Sequence, residues 1–267
     1  WRASEKRLAS LSESASQARW DLTGEDATKW HAHGNGVPPK PSVAGEFTVA
    51  LEDDQIIRNI LPAGVYSHTL SDKHSGVMAS PRFMANRSKV FVRVIGDLSV
   101  ARYVVQNYPL VGETYPVTVL EDGDWRWHEW DAAYWDGDHL HIEVTTAADQ
   151  PVHEEYIRDR SWFGISQAIV VADGQPEPRD EIAYFIAPIF ETDSHQAPKN
   201  ANALSRRYAT ALKDCIVAWQ DRRMTDAQAG FLDFFVREDL LPNNFESLPA
   251  VAKLVEKYRI LEDEIPI

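Results

Sequence analysis

The period of the apolar positions lengthens along this chain between about residues 173 and 202. From about Trp20 to Ala172 the chain is rich in β-branched and aromatic residues, and in several segments the apolar positions recur at every second residue, which predicts strands. In "KVFVRVIG", Val90, Val92 and Val94 face one way, and Phe91, Arg93 and Ile95 the other. "ARYVVQNYP" continues the pattern after a turn at Gly96-Asp97. In "HLHIEVTT", Leu140, Ile142 and Val144 form one face opposite His139, His141 and Glu143, as expected of a half-exposed antiparallel strand. "FGISQAIVV" closes the series. Short strands at this spacing, broken by Gly, Pro, Asn and Asp, predict an antiparallel sandwich or barrel. The strand near Ala168 is expected beside one of the first strands.

Beyond Asn202 the period lengthens to that of a helix. Leu204, Tyr208, Ala211, Leu212, Cys215, Ile216 and Trp219 follow 3.6-residue spacing. Helices are predicted over 203–220, 226–240 and 249–260, with Leu212, Ile216 and Trp219 buried. Thr225 and Gln228 form a capping box before Phe231, Leu232, Phe235 and Val236, and Pro242 ends that helix. The third starts near Ser247 with Pro249 just inside it, carrying Val251, Leu254, Val255, Tyr258 and Leu261. Residues 1–19 read as a helical lead-in from a preceding domain. The expected organisation is therefore 1–19 lead-in, 20–172 β-sandwich module, 173–201 linker or packed arm, and 202–267 a helical segment leading to a following domain. Both ends read as cuts in a longer protein.

The net charge of −14 argues against nucleic acid, which needs clustered Lys and Arg. No stretch reaches the roughly 18 apolar residues of a membrane helix, so no membrane insertion is expected. The single cysteine, Cys215, excludes an internal disulfide, a cysteine zinc cluster and a haem-attachment motif within this chain. Its place on a helical apolar stripe reads as buried filling.

The strand region carries a resemblance. Trp127, Asp131, Tyr134, Gly137 and Ile142, followed by Trp162, Gly164 and Ile165, resemble the second half of galactose-binding-like jelly-roll domains. "GVMASPRF" is similar to the strand that precedes the central strands in that class. Ser166 and Gln167 stand where many relatives have acidic residues, which weakens the inference of a calcium site. A second resemblance spans nearly the whole chain. "RWDL", "HGNG", "PAGVYSHTLSDKHSGVMASPRF", "VVQNYP", "WRWHEWD", "TTAADQP" and "YRILEDEIP" resemble the central region of planctomycete-type secreted multidomain proteins. Those carry a cytochrome-c-like haem domain and flanking family-specific domains of unknown function. The resemblance implies an extracytoplasmic location, flanking domains of the same parent chain as partners, and haem elsewhere in the parent, with no cofactor in this fragment.

Candidate chemistry centres on "WRWHEWDAAYW". Rings stack on the C–H faces of sugars while planar polar neighbours fix orientation. Trp125, Arg126, Trp127, His128, Tyr134, Trp135 and Arg93 are the expected ligand-binding residues; packing of the same rings in the core is the competing role. Arg93 should share a face with Phe91. An anionic glycan would need a basic patch, with Arg82, Arg87, Arg93, Arg102 and Arg126 as candidates. His31, His33, His68, His74, His128, His139 and His141 could converge on a metal, but a solvated face is the plainer role. Asp136 and Asp138 form a turn of calcium-compatible type without EF-hand spacing. No GxSxG, P-loop or HExxH occurs, and no catalytic residue is assigned. The expected function is a non-catalytic carbohydrate-binding-like module, with polysaccharide as partner; the alternative is a structural spacer without a ligand of its own.

Overall fold

The computed structural model describes all residues except 14–15, 113, 122, 151–159, 191–196 and 267, together with all side chains but those of 12–13, 183 and 185. The chain divides into two compact units. One comprises 10–41, 64–179 and 265–267; the other comprises 1–9, 42–63 and 180–264.

The first unit is an antiparallel β-sandwich. Its strands are β1 (Ala18–Asp21) and β2 (His31–His33), with β3 (Glu46–Val49) and β4 (Ile57–Leu61) lying outside it. They continue as β5 (Val65–Tyr66), β6 (Val77–Ala79), β7 (Phe83–Met84), β8 (Ser88–Asp97), β9 (Ser99–Val105), β10 (Val117–Leu120), β11 (Arg126–Asp131), β12 (His139–Thr145) and β13 (Trp162–Ala172). The first sheet has the order β1-β13-β8-β11, with β5 also on β13. The second has the order β10-β9-β12-β6-β2, with β7 also on β12. The strand through Ala168 does pair with the first strand, Trp20 opposite Ala168. Although β8 and β9 are nearly contiguous, they lie in different sheets, and Leu98 takes a left-handed φ of 48° where the chain crosses.

The core between the sheets follows the sequence alternation. Val90, Val92, Val94, Phe163, Ile165 and Val170 meet Ala101, Tyr103, Leu140, Ile142 and Val144. The other face of β8, which carries Arg93, expected among the ligand-binding residues, is covered as well. Phe91, Arg93 and Ile95 are also buried. Central strands covered on both faces read as continuous apolar runs, and "VFVRVI" is one.

The second unit is mainly helical. The hairpin β3–β4 packs with α2 (Ala183–Phe190), α3 (Ala201–Gln220), α4 (Asp226–Arg237) and α5 (Pro249–Asp263), while α1 (Arg2–Glu13) begins in it. The Thr225–Gln228 capping box is present, and Pro249 sits in the first turn of α5. Cys215 is fully buried beside Ile60, Ile189, Phe231 and Leu232. Two expectations change here. The hairpin 46–61, read as sandwich, belongs to the helical unit because its Ile60 feeds that core. Ile216 is 43% exposed, while Leu212 and Trp219 are partly buried against the core. The span 173–201 holds helix α2; its residues 191–196 lie outside the described residues. Among the described residues no helix is long and apolar enough to cross a membrane.

Candidate functional site

The tryptophan-rich segment is distributed over two places in the sandwich unit. β11 is an edge strand of the first sheet, paired to β8 with Trp127 opposite Arg93 and Trp130 opposite Val90. Alternation sends Trp130 into the core, where its indole N–H donates to the Thr118 hydroxyl at 2.9 Å. Trp127 goes to the outer face and packs on Leu11, Phe91, Ile169 and Val171.

On that outer face Trp125 belongs to a line of rings. Tyr66 stands edge-on to Trp125 at 5.9 Å, and to His68 at 5.9 Å. His68 lies 3.9 Å from the Trp162 ring centre. The Arg93 guanidinium sits 5.2 Å from the Trp125 ring, within cation–π range. Tyr66, His68, Trp162 and Arg93 are all buried. Arg93 does share the face of Phe91, but both side chains are covered, so the aromatic-plus-Arg surface is a packed layer. The sequence offered no sign of this, because the residues that cover a sheet are distant along the chain.

Tyr134 and Trp135 occupy the second place, the turn from β11 to β12. The Asp131 carboxylate accepts from the Ala133 N–H at 2.8 Å, and the Trp135 N–H donates to the Ala132 carbonyl at 3.0 Å. Trp135 is half-buried, and its indole N–H donates to the Thr114 carbonyl at 2.8 Å. Its ring lies 4.9 Å from Tyr115, and Tyr134 meets it edge-on at 4.8 Å. Tyr134 itself is 75% exposed. Beneath them the Tyr103 hydroxyl lies 3.2 Å from the Thr114 carbonyl and 3.1 Å from that of Asp131, tying the two loops together. Burial pushes the Tyr103 phenol up to about 12, so it stays protonated as a donor. The nearby loop 106–112 exposes Tyr108, Leu110 and Val111. Tyr108 and Tyr115 were missed from sequence; only their place in a turn-rich stretch ("QNYPLVGETYP") marks them.

The polar neighbours are dispersed. Arg126 is exposed, 4.0 Å from Asp124 at the far end of β11, and His128 is half-buried on that strand. Arg87 is exposed, with its guanidinium 3.9 Å from Asp136. Arg102 is buried and bonded to Glu143 through Nε at 2.9 Å and through its second nitrogen. Asp136 accepts from the Arg87 N–H at 3.0 Å and Asp138 from the Gln106 amide at 2.9 Å. Among the described residues no three His, Cys, Asp or Glu are grouped to hold a metal.

His141 shares the outer face of β12 with His139 and Glu143, as the alternation requires. Burial holds its pKa below the usual imidazole value; Glu143 pulls upward, and Arg82 and Arg102 add to the depression. The unfolded chain therefore takes up this proton first as pH falls, and the fold loses stability below about pH 6.5. The urea midpoint should fall between pH 7 and 5.5, and less so in His141→Gln. An equal fall in that variant would assign the pH dependence elsewhere.

No protein-family model matches the chain, and no curated protein matches it. Among solved structures it is similar to TmCBM61 in complex with β-1,4-galactotriose, at 14% identity over 54% of this chain and 88% of that one, with a TM-score of 0.32. It is similar to the C-terminal CBM6 of a marine laminarinase from Zobellia galactanivorans, at 10% identity over 58% and 98%, with a TM-score of 0.31. A third is the K1 cleaved adhesin domain of Lys-gingipain from Porphyromonas gingivalis W83, at 10% identity over 59% and 98%, with a TM-score of 0.34. Scores at this level lend no weight to a ligand, and the sandwich stands on its own strand order.

Proposed function

We propose that the sandwich unit is a non-catalytic module that binds a neutral polysaccharide on the Tyr134–Trp135 platform, within a secreted multidomain protein. The observation that supports this reading is the largely exposed Tyr134 ring, backed by a Trp135 ring that is itself fixed by a hydrogen bond to Thr114 and by Tyr115. A ring held in place before binding loses little conformational entropy on stacking. Asp131, Asp136 and Asp138 flank Tyr134 and Trp135 along the chain, and the Arg87 side chain lies beside Asp136. That balance disfavours an anionic chain and suits neutral hydroxyls, which carboxylates accept from. Of the residues expected from sequence, Tyr134 and Trp135 carry the proposal; Trp125, Trp127 and Arg93 serve packing.

In affinity electrophoresis, neutral galactan or β-glucan should retard the folded chain with a dissociation constant of about a millimolar to tens of micromolar. Tyr134→Ala, at an exposed position, should cut retention about tenfold, as expected for a lost stacking contact worth about 1–1.5 kcal/mol, and leave the unfolding midpoint unchanged. Retention of no neutral glycan would favour a structural spacer that positions a haem domain and flanking domains, and full retention by Tyr134→Ala would move the glycan site off this platform.

A further inference from the structure

A cavity of about 240 Å³ lies in the sandwich unit, lined by residues on β5 of the first sheet and on β2 and β6 of the second, so it enters between the two sheets. Pro38, Pro39 and Pro41 line it together with Trp30, Val65 and Met78. Three proline rings in four positions make a stiff wall, because each φ is fixed. Trp30 is 4% exposed and is set by Trp20, edge-on at 5.9 Å and 85°. Its indole N–H meets no hydrogen-bond acceptor among the described residues.

The polar end of the cavity is Lys40, which also lines it and is exposed. No carboxylate among the described residues pairs with this ammonium. The Thr28 hydroxyl, the other polar side chain of the lining, already donates to the Glu25 carbonyl at 2.7 Å. The lining thus combines an apolar slot, flat rings, a thioether that favours aromatic edges, and a single cation at the mouth.

We propose that this cavity is a second binding site, separate from the Tyr134–Trp135 platform, and that it takes a small aromatic carboxylate, with the ring between the prolines and Trp30 and the carboxylate on Lys40. The volume lies below that of sites for drug-sized ligands, so the occupant is a single ring with a short acidic arm. A ligand of that size binds at about millimolar affinity.

Benzoate is the probe. Titrated into the full chain and followed by the indole signals in proton–nitrogen correlation spectra, it should shift one indole signal saturably at about millimolar concentration. Benzyl alcohol, which has the ring without the charge, should bind about threefold more weakly. Acetate, which has the charge without the ring, should shift nothing. Lys40→Met should bring benzoate down to the level of the alcohol. Ala32→Leu, at an exposed position that lines the cavity, should abolish both shifts while the other indole signals stay in place. No saturable shift with benzoate, equal binding of benzoate and benzyl alcohol, or unchanged benzoate binding in either variant overturns the proposal.

Discussion

Gly164→Ala lowers the unfolding free energy of the sandwich by about 2–3 kcal/mol, the upper part of the range for inserting atoms into a packed interior. In an ordinary strand the same change would help, because glycine has more backbone freedom to lose than alanine. Here Gly164 lies opposite Tyr66 on β5 and Ile95 on β8. A Cβ at this position would stand 2.6 Å from Tyr66 Cδ1 and 2.7 Å from Ile95 Cγ2. Neither neighbour can yield cheaply. Tyr66 is fully buried and meets His68 and Trp125, so moving it disturbs the whole line of rings on the outer face. Urea denaturation of the single variants and of Gly164→Ala/Tyr66→Ala together checks the cause. If the clash is with Tyr66, the double variant is less damaged than the sum of the two singles. Additive losses would place the strain elsewhere.

Arg259→Ala costs the helical unit about 3 kcal/mol. Arg259 projects from α5 into the turn between β3 and β4. Its Nε donates to the Ala50 carbonyl at 2.8 Å, one terminal nitrogen to Asp53 at 2.8 Å, and the other to Glu52 at 3.0 Å and Gln55 at 2.7 Å. The guanidinium also lies 5.3 Å from the Phe245 ring. Hydrogen bonds from a charged donor are worth about 1.5–3 kcal/mol each, and their partial exposure brings four of them down to the total given. The turn depends on them, since Asp53 is held at a left-handed φ of 54° that a non-glycine residue seldom adopts. Arg259→Lys keeps the charge but loses the planar fork, and should recover less than half of the loss. The urea midpoint of the helical unit is the measurement; a lysine variant as stable as the wild type would reduce the clamp to simple charge.

The parts of this architecture that the sequence showed are those set by local period. The alternation of Val90, Val92 and Val94 and of Leu140, Ile142 and Val144 marks the inner faces of both sheets. The Thr225–Gln228 box marks the start of α4 within a residue. What stayed hidden depends on distant segments. Arg93 was expected at a ligand-binding surface on the face of Phe91, because nothing nearby in sequence covers that face. The hairpin 46–61 has strand-like composition, and its hydrogen bonds to Asp233 and Asn243 and the packing of Ile60 assign it to the helices. The candidate site was legible in type, as rings within a turn-rich stretch. Which rings stay at the surface is decided by the edge position of β11 and by the Thr114 carbonyl, neither of which has a signature in the sequence.

That hairpin also has a consequence for synthesis. The Ile60 N–H donates to Asp233 across 173 residues, and Asn243 brackets Ile57 with one bond to its N–H and one to its carbonyl. At a chain elongation rate of about 5–20 residues per second, β3 and β4 wait roughly ten seconds or more for α4 to emerge. During that time the intervening sandwich strands are produced and can close on one another. The hairpin meanwhile holds the apolar Ile56, Ile60 and Leu61 with no partner yet made, so the helical unit is the last to become resistant to proteolysis and the more dependent of the two on protection while the chain is growing.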